Sequence, residues 1–344
     1  MRIGLIGMGV MGSVHARRYL QLPDVELSAI ADVRPERLAS GEGVQGNLAE
    51  TSQNFDWSRV ARYDDGKALI ASAEVDVIDI CLPTFLHAEY AIAALEAGRH
   101  VLCEKPMALT VAEADRMIAA AEAAGRKLMI AQCIRFWPEY GFLRRCIADG
   151  RFGRLLSLNM YRLGGRPIWS WENWFLDPAR SGGPPLDLQL HDLDWVNAVF
   201  GLPNRVHAAA KRSPATGGYD TLDALLTYDD GPHVHVRGGW SYAQIPFQAG
   251  FEAWFERGFV CLDGRSRPAL HVFADPLKVE AQPAEYQAGD AYLNEIMYFI
   301  DCVRNNKELS ECTPYSTRDS MLLVETVIQA AERGQAIELA QGGN

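Results

Sequence analysis

The sequence predicts an α/β protein in which residues 1–131 form a doubly wound parallel sheet and residues 132–344 form an α+β domain with an open, mostly antiparallel sheet. In the first part, short apolar runs alternate with helical patterns, which is typical of parallel strands joined by crossover helices. In the second part, alternating apolar and polar runs follow one another without helices between them, which is typical of antiparallel strands with one packed face. A chain of 344 residues is long enough for two such domains.

Five apolar runs in the first part predict buried strands, at residues 2–6, 27–31, 75–81, 100–103 and 127–131. A helix should begin near Pro35, and another should end at Gly98. Thr110 and Glu113 form a capping box that predicts the start of a third helix. The polar stretch over residues 41–57 predicts a surface loop or insertion.

In the second part, a helix is expected over residues 138–149 and a strand over residues 155–161. Further strands are predicted at residues 206–211, 224–228, 234–240, 251–255 and 258–262. Two helices are expected at the end of the chain, over residues 291–305 and 315–333.

The composition is that of an ordinary globular protein, with 48% hydrophobic and 22% charged residues. Its net charge of −11 disfavours nucleic acid and anionic membranes as partners. No run approaches the roughly 18 apolar residues of a membrane span, and the first residues lack the pattern of a signal peptide. The seven cysteines are widely spaced without a CxxC pair, so we expect free thiols in the cytoplasm and no metal site.

A glycine motif follows the first predicted strand, and it opens the first predicted helix. Gly7 permits a tight turn, Gly9 lets the backbone approach a pyrophosphate, and Gly12 lets the helix pack closely on the strand. Asp32 stands at the end of the second predicted strand, 20 residues beyond Gly12, where it would accept hydrogen bonds from ribose hydroxyls. The pattern predicts a Rossmann-type NAD site, against the alternative of a glycine-rich turn that binds nothing.

The choice between NAD and NADP stays open at this point. Asp32 favours NAD because its carboxylate would accept hydrogen bonds from the adenosine ribose hydroxyls. Arg34 and Arg37 follow closely, however, and their guanidinium groups could accommodate that phosphate.

Lys105 lies between an acid and a proline at the end of a predicted strand, where ligands of open α/β sheets bind. Pro106 restricts its own φ and the backbone of Lys105, so the lysine can be presented with little freedom. A lysine there could donate hydrogen bonds to a substrate hydroxyl and lower its pKa. The alternative is an exposed lysine in a turn.

The segment 182–194 contains a second candidate constellation. Asp187 and His191 are four residues apart, so on a helix they share one face. An imidazole with a pKa near ~6.5 can take a proton from an alcohol, while Asp187 could orient that imidazole or bind a second hydroxyl. Taken alone, this spacing favours a surface ion pair, and a metal pair is the third alternative.

The order and spacing of these motifs resemble the glucose–fructose oxidoreductase, inositol dehydrogenase and rhizopine-catabolism (Gfo/Idh/MocA) family over nearly the whole chain. The resemblance implies a nicotinamide-dependent oxidation of a ring hydroxyl of a sugar or cyclitol, or the reverse reduction. It implies catalytic roles for Lys105, Asp187 and His191. The expected cofactor-binding residues are Gly7, Gly9, Val10, Met11, Gly12, Asp32, Arg34, Pro83, Thr84, His87, Glu104 and Lys105.

Polar and aromatic residues near the second motif are candidates for a sugar pocket, because a sugar ring stacks well on indole. Besides Asp187 and His191, these candidates are Arg135, Trp137, Arg166, Trp169, Trp171, Asn173 and Trp174. The alternative for each tryptophan is a core or oligomer contact.

Two departures from the family's pattern leave the substrate open, since Pro185 and Gln189 stand where glycine is common. Reduction of an imine, enone or dihydrodiol is an alternative activity, and a non-catalytic NAD-sensing regulator is an alternative of another class. The second sheet would expose apolar side chains if nothing covered it, so we expect a homodimer or homotetramer formed through that sheet.

Overall fold

A computed structural model describes residues 1–39, 56–72, 74–264, 269–281, 284 and 286–339. The predicted loop over residues 41–57 lies outside the described residues except for its last two. Within the described ranges, no helix is long and apolar enough to cross a membrane.

The first part forms a six-stranded sheet in which every neighbouring pair is parallel. Its strands are β1 (Arg2–Ile6), β2 (Glu26–Ala31), β3 (Ala61–Tyr63), β4 (Val77–Ile80), β5 (His100–Glu104) and β6 (Leu128–Ala131). Their order is β3-β2-β1-β4-β5-β6, the Rossmann order that the glycine motif predicts. The predicted doubly wound fold is confirmed.

Helices cover both faces of this sheet. They are α1 (Val10–Tyr19), α2 (Pro35–Ala39), α3 (Gly66–Ser72), α4 (His87–Glu96) and α5 (Val111–Ala124). The predicted capping box is present, because the Glu113 amide donates to the Thr110 hydroxyl and the Thr110 amide donates to the Glu113 carboxylate. Gly98, just beyond α4, has a φ of 76°, which glycine adopts without strain.

The second part forms a sheet of eight strands, which are β7 (Leu155–Gly165), β8 (Arg205–Arg212), β9 (Tyr219–Thr227), β10 (His233–Ser241), β11 (Gln248–Phe255), β12 (Gly258–Leu262), β13 (Leu270–Phe273) and β14 (Ile337–Glu338). Their order in the sheet is β13-β12-β11-β7-β10-β9-β8-β14. The pairing of β7 with β10 is parallel and the other pairings are antiparallel, as the mostly antiparallel prediction requires.

The helices of the second part are α6 (Pro138–Asp149), α7 (Pro178–Ser181), α8 (Leu190–Phe200), α9 (Ala291–Arg304) and α10 (Pro314–Arg333). Trp195 of α8 and Val324 of α10 pack with Val234 and Phe251 on one face of the second sheet. Fully burying such a side chain contributes about 1.5–3 kcal/mol to stability.

Helix α9 returns to the first sheet, although the sequence assigns its residues to the second domain. Its Ile296 and Phe299 are buried against Leu5 of β1 and Leu102 of β5. This packing places α9 beside α1 and behind the carboxyl end of β5, where Lys105 follows.

Candidate active site

A cavity lies at the carboxyl ends of β1, β2, β4 and β5, with the second domain forming its other wall. It brings together many of the predicted site residues, namely Gly7, Gly9, Val10, Met11, Asp32, Arg34, Pro83, Glu104, Lys105, Trp169, Trp171, Trp174 and Asp187. This is the edge of an open parallel sheet at which ligands bind.

The glycine loop has the geometry that a dinucleotide requires. Gly7 has a φ of 93°, and a Cβ at Gly12 would lie 1.8 Å from the carbonyl oxygen of Gly7. A side chain at Gly12 would therefore displace α1 from β1, and one at Gly7 would clash with the Cys81 backbone after β4. Gly9 is the N-cap residue of α1 and has no side chain that could accept hydrogen bonds from the first N–H groups of the helix. These N–H groups therefore remain available to a phosphate.

Asp32 closes this loop from the end of β2. Its carboxylate accepts hydrogen bonds from the amides of Met8 (2.8 Å) and Arg34 (2.9 Å), and Arg37 Nη1 lies 3.3 Å from it. The Arg34 side chain pairs instead with Glu36, at 2.6 Å. Each of the two arginines therefore has a carboxylate partner, and Asp32 lies where the ribose of NAD is bound in this fold.

Thr84 and His87 lie behind the cavity rather than on its surface, as both are buried. The ring nitrogens of His87 lie 2.7 Å from the carbonyl oxygen of Pro106 and 2.8 Å from that of Leu82. His87 thus ties the loop after β4 to the turn that carries Lys105.

Lys105 and Asp187 meet across the two domains. The Lys105 ammonium donates to the carboxylate of Asp187 (3.0 Å) and to its main-chain carbonyl (2.8 Å). The peptide bond between Lys105 and Pro106 is cis. The predicted turn lysine is therefore engaged by the second motif, and it is not a freely exposed lysine.

The spacing of Asp187 from His191 predicts that both residues lie on one regular α-helix. In the structure, Asp187 does not. It lies in a π-helical turn, Pro185–Gln189, and α8 begins only at Leu190. Such turns occur often at functional sites because they widen the helix and redirect side chains. Here the turn directs Asp187 toward Lys105, and His191 follows in the first turn of α8.

His191 is half-buried, and its Nδ1 has no hydrogen-bond partner among the described residues. Burial lowers its pKa well below the usual value, and the charges of Lys105 and Arg162 lower it further. Arg162, which sequence reasoning missed, is buried and pairs with Asp192 at 3.0 Å. The imidazole is therefore neutral at neutral pH and able to accept a proton.

The structure places two predicted substrate residues elsewhere. Arg135 donates to both carboxylate oxygens of Asp194 (2.7 and 2.6 Å), and its side chain is only 3% exposed. Arg166 is buried and donates to Ser213 (2.6 Å) and Asp220 (2.9 Å). Both guanidinium groups hold the second domain together and do not line the cavity.

The predicted aromatic residues divide into two groups. Trp169, Trp171 and Trp174 line the cavity, and Trp174 stacks on Phe175 at 3.9 Å between ring centroids. Trp137 instead makes an edge contact with Tyr292 and does not line the cavity. Asn173 has a left-handed backbone with a φ of 52° and does not line it either.

Sequence and structure comparisons identify the family and the fold of the chain. The oxidoreductase family with an NAD-binding Rossmann fold matches residues 1–132, and the C-terminal domain of the same Gfo/Idh/MocA family matches residues 140–260. The D-glucoside 3-dehydrogenase of Escherichia coli (strain K12) is 32% identical over 273 residues, covering 79% of this chain and 74% of its own. The inositol 2-dehydrogenase of Rhizobium meliloti (strain 1021) is 27% identical and covers 90% of each chain.

A solved structure of levoglucosan dehydrogenase with NADH and levoglucosan superimposes with a TM-score of 0.82 at 22% identity, covering 99% of this chain and 100% of that one. An aldose–aldose oxidoreductase from Caulobacter crescentus gives the same TM-score at 21% identity, covering 98% and 99% of the two chains. These likenesses confirm the predicted fold. The chain belongs to the Gfo/Idh/MocA family and is an NAD-dependent oxidoreductase.

Proposed function

We propose that the protein oxidises a ring hydroxyl of a sugar or cyclitol, or performs the reverse reduction, with Lys105, Asp187 and His191 as its catalytic residues. The observation that carries this proposal is the contact of Lys105 with Asp187 at the end of the dinucleotide cavity. His191 does not itself line that cavity, but the charge of Lys105 reaches it and lowers its pKa. Relatives named as glucoside and inositol dehydrogenases support the same reaction class.

Each side chain has a task that its surroundings suit. His191 accepts the proton of the substrate hydroxyl, since its lowered pKa keeps the ring unprotonated. Lys105 stabilises the alkoxide that develops on that oxygen, and Asp187 holds the ammonium in place. NAD, which the glycine loop and Asp32 would hold, supplies the acceptor for the hydride that leaves the same carbon.

The aromatic wall formed by Trp169, Trp171 and Trp174 supports a carbohydrate as substrate. The C–H groups of a sugar ring pack against the flat apolar face of an indole, while its hydroxyls remain free for polar partners. On this basis Trp174 stays a proposed residue of the substrate pocket.

We also propose a homo-oligomer formed through the outer face of the second sheet, and a cytoplasmic location. Trp254 of β11 and Leu225 of β9 point to that face, with 53% and 41% of their surfaces exposed. A second copy of the sheet would cover them. Light scattering tests the assembly, which a monomer at micromolar concentration would contradict.

The proposed cytoplasmic location is supported by the cysteines. All seven are free, as in a reducing compartment.

The experiment that tests the reaction class is a panel of sugars and inositols assayed with NAD for the appearance of NADH, and with their ketones and NADH for the reverse. Turnover of at least one neutral polyol is expected. Tight NADH binding without turnover of any compound in either direction would contradict the proposal and favour a cofactor-sensing role.

A further inference from the structure

Behind the turn that carries Lys105 lies a buried cluster of three carboxyl groups around one imidazole. His15 comes from α1, Asp79 from β4, Glu104 from the end of β5 and Glu295 from α9. All four are buried, and the proposed chemistry assigns a task to none of these side chains, although Glu104 reaches the cavity wall. Three buried carboxyl groups behind the proposed catalytic lysine are unusual, because a buried charge is costly unless it is paired.

His15 links the cluster to the active site through Glu104. Its Nδ1 lies 2.8 Å from Asp79, which also accepts a hydrogen bond from the Tyr19 hydroxyl at 2.7 Å. Its Nε2 lies 3.2 Å from one carboxylate oxygen of Glu104. The other Glu104 oxygen accepts a hydrogen bond from the main-chain amide of Lys105, at 3.0 Å. Glu104 therefore holds the backbone of the lysine, and His15 lies within ion-pair distance of Glu104, although its Nε2 makes no hydrogen bond among the described residues.

Glu295 is the unusual member. Its side chain is fully buried, neither of its oxygens has a hydrogen-bond partner among the described residues, and one oxygen lies 4.0 Å from Nε2 of His15. An ionised carboxylate in that position would be costly. Burial raises its pKa well above the usual value, and the charges of Glu104 and Asp79 raise it further, although His15 opposes the shift. Both its burial without hydrogen-bond partners and the direction of this shift favour the protonated, neutral form of Glu295.

The other groups facing Glu295 do not reverse the direction of its pKa shift. They are Tyr19 of α1, Asp79 and Cys81 at the end of β4, Glu104 of β5, Asp290 and Tyr292 at the start of α9, and the thiols of Cys133 and Cys312. Burial raises the pKa of each of these phenols and thiols, so they keep their protons. Asp290 pairs with Arg18 at 2.6 Å.

We propose that His15 and Glu295 are positioning residues for Lys105, and that the proton on Glu295 keeps the contact between His15 and Glu104 intact. When Glu295 loses this proton, its new charge competes with Glu104 for the single Nε2 of His15 and repels Glu104. The Glu104 carboxylate then no longer holds the Lys105 amide, and the ammonium loses its fixed place beside the substrate oxygen. This inference rests on the proposed function, since it concerns the residue that stabilises the alkoxide.

The variant Glu295→Gln tests the inference because it is isosteric with the protonated acid and cannot ionise. At pH 7 its kcat should match that of the wild type within about twofold, because the neutral states are alike. At alkaline pH the wild type should lose about tenfold or more in kcat, as misplaced catalytic groups do. The variant should keep its kcat over the same range. Glu308→Gln, at an exposed position just beyond α9, is the matched control and should behave as the wild type.

A second readout is independent of turnover. The infrared spectrum of the wild type should contain the carbonyl stretch of a protonated carboxylic acid, absent from Glu295→Gln, and this band should disappear over the pH range in which kcat falls. The inference is overturned if the band is missing at neutral pH, or if wild type and variant share the same alkaline limb. If the wild type oxidises no polyol, the proposed function fails, and the presence or absence of the infrared band at neutral pH still decides whether Glu295 carries the proton that this inference requires.

Discussion

Asp187→Asn removes one charge from the contact between the domains while keeping the shape of the side chain. In the wild type, Lys105 donates to the Asp187 carboxylate at 3.0 Å and to its main-chain carbonyl at 2.8 Å. The variant keeps the main-chain acceptor and an amide oxygen, so the lysine should remain near its place. What changes is the strength with which the ammonium is held.

The size of the effect follows from the burial of this pair. The two side chains are 16% and 14% exposed, so solvent screens the contact only in part. A hydrogen bond to a charged partner contributes about 1.5–3 kcal/mol and one to a neutral partner about 0.5–1.5 kcal/mol. The difference of roughly 1–2 kcal/mol corresponds to a loss of about 5- to 30-fold in kcat/KM.

The assay is steady-state oxidation of the best polyol, with NADH affinity measured on the same samples by fluorescence. Asp301→Asn is the matched control, because Asp301 also pairs with a lysine, Lys307, at 2.7 Å but on the exposed surface. The control should leave kcat/KM unchanged. Wild-type kcat/KM in Asp187→Asn would refute the reasoning, and so would a loss of NADH affinity equal to the loss of kcat/KM, which would place Asp187 in cofactor binding.

Three further predictions concern His191, Asp32 and Arg135. Because burial, Lys105 and Arg162 lower the pKa of His191, the base stays unprotonated below its usual value, so the plateau of kcat/KM for oxidation should extend below pH ~6.5; a fall centred there would contradict this. Asp32→Ser should raise the KM for NAD and improve the use of NADP, because it frees Arg37; unchanged cofactor preference in kinetic assays would contradict this. Asp194→Asn should lower the free energy of unfolding by about 3 kcal/mol in denaturant titrations, because it leaves Arg135 buried without its ion-pair partner; a change only in KM for substrate would instead place Arg135 in the substrate pocket.

Most elements of the first sheet could be predicted from short patterns in the sequence. The glycine loop, the apolar runs and the capping box of Thr110 and Glu113 each contain their information within a few residues, and the structure confirms them. The short strand β3 was missed because its three residues are mostly exposed and show no apolar pattern. Strand β14 has only two residues, and it depends on its pairing with β8, which is remote in sequence.

Some candidate residues could be predicted from patterns that are local in sequence. Lys105 and Asp32 stand at strand ends, where ligands of this fold bind, although their partners Asp187 and Met8 are remote. No local pattern indicates the pairing of Arg135 and Arg166, because their partners Asp194 and Asp220 lie more than fifty residues further along the chain. An arginine beside a predicted pocket can bind a substrate or pair with a buried acid, and only the packed structure distinguishes the two.

The same reason explains what sequence reasoning missed. His15 and Glu295 are separated by nearly the whole chain, and no pattern around either residue indicates that α9 returns to the first sheet. The π-helical turn at Asp187 is also invisible in the spacing, because a separation of four residues predicts a shared α-helical face.

The most direct test of the central claim is the rate of NADH formation by His191→Ala on the polyol that the wild type oxidises best. We predict a loss of about 10²- to 10⁴-fold in kcat, the usual contribution of a positioned general base, with NADH affinity unchanged. Glu308→Ala, at an exposed position just beyond α9, should retain the wild-type rate. A His191→Ala enzyme that forms NADH as fast as the wild type would contradict the account.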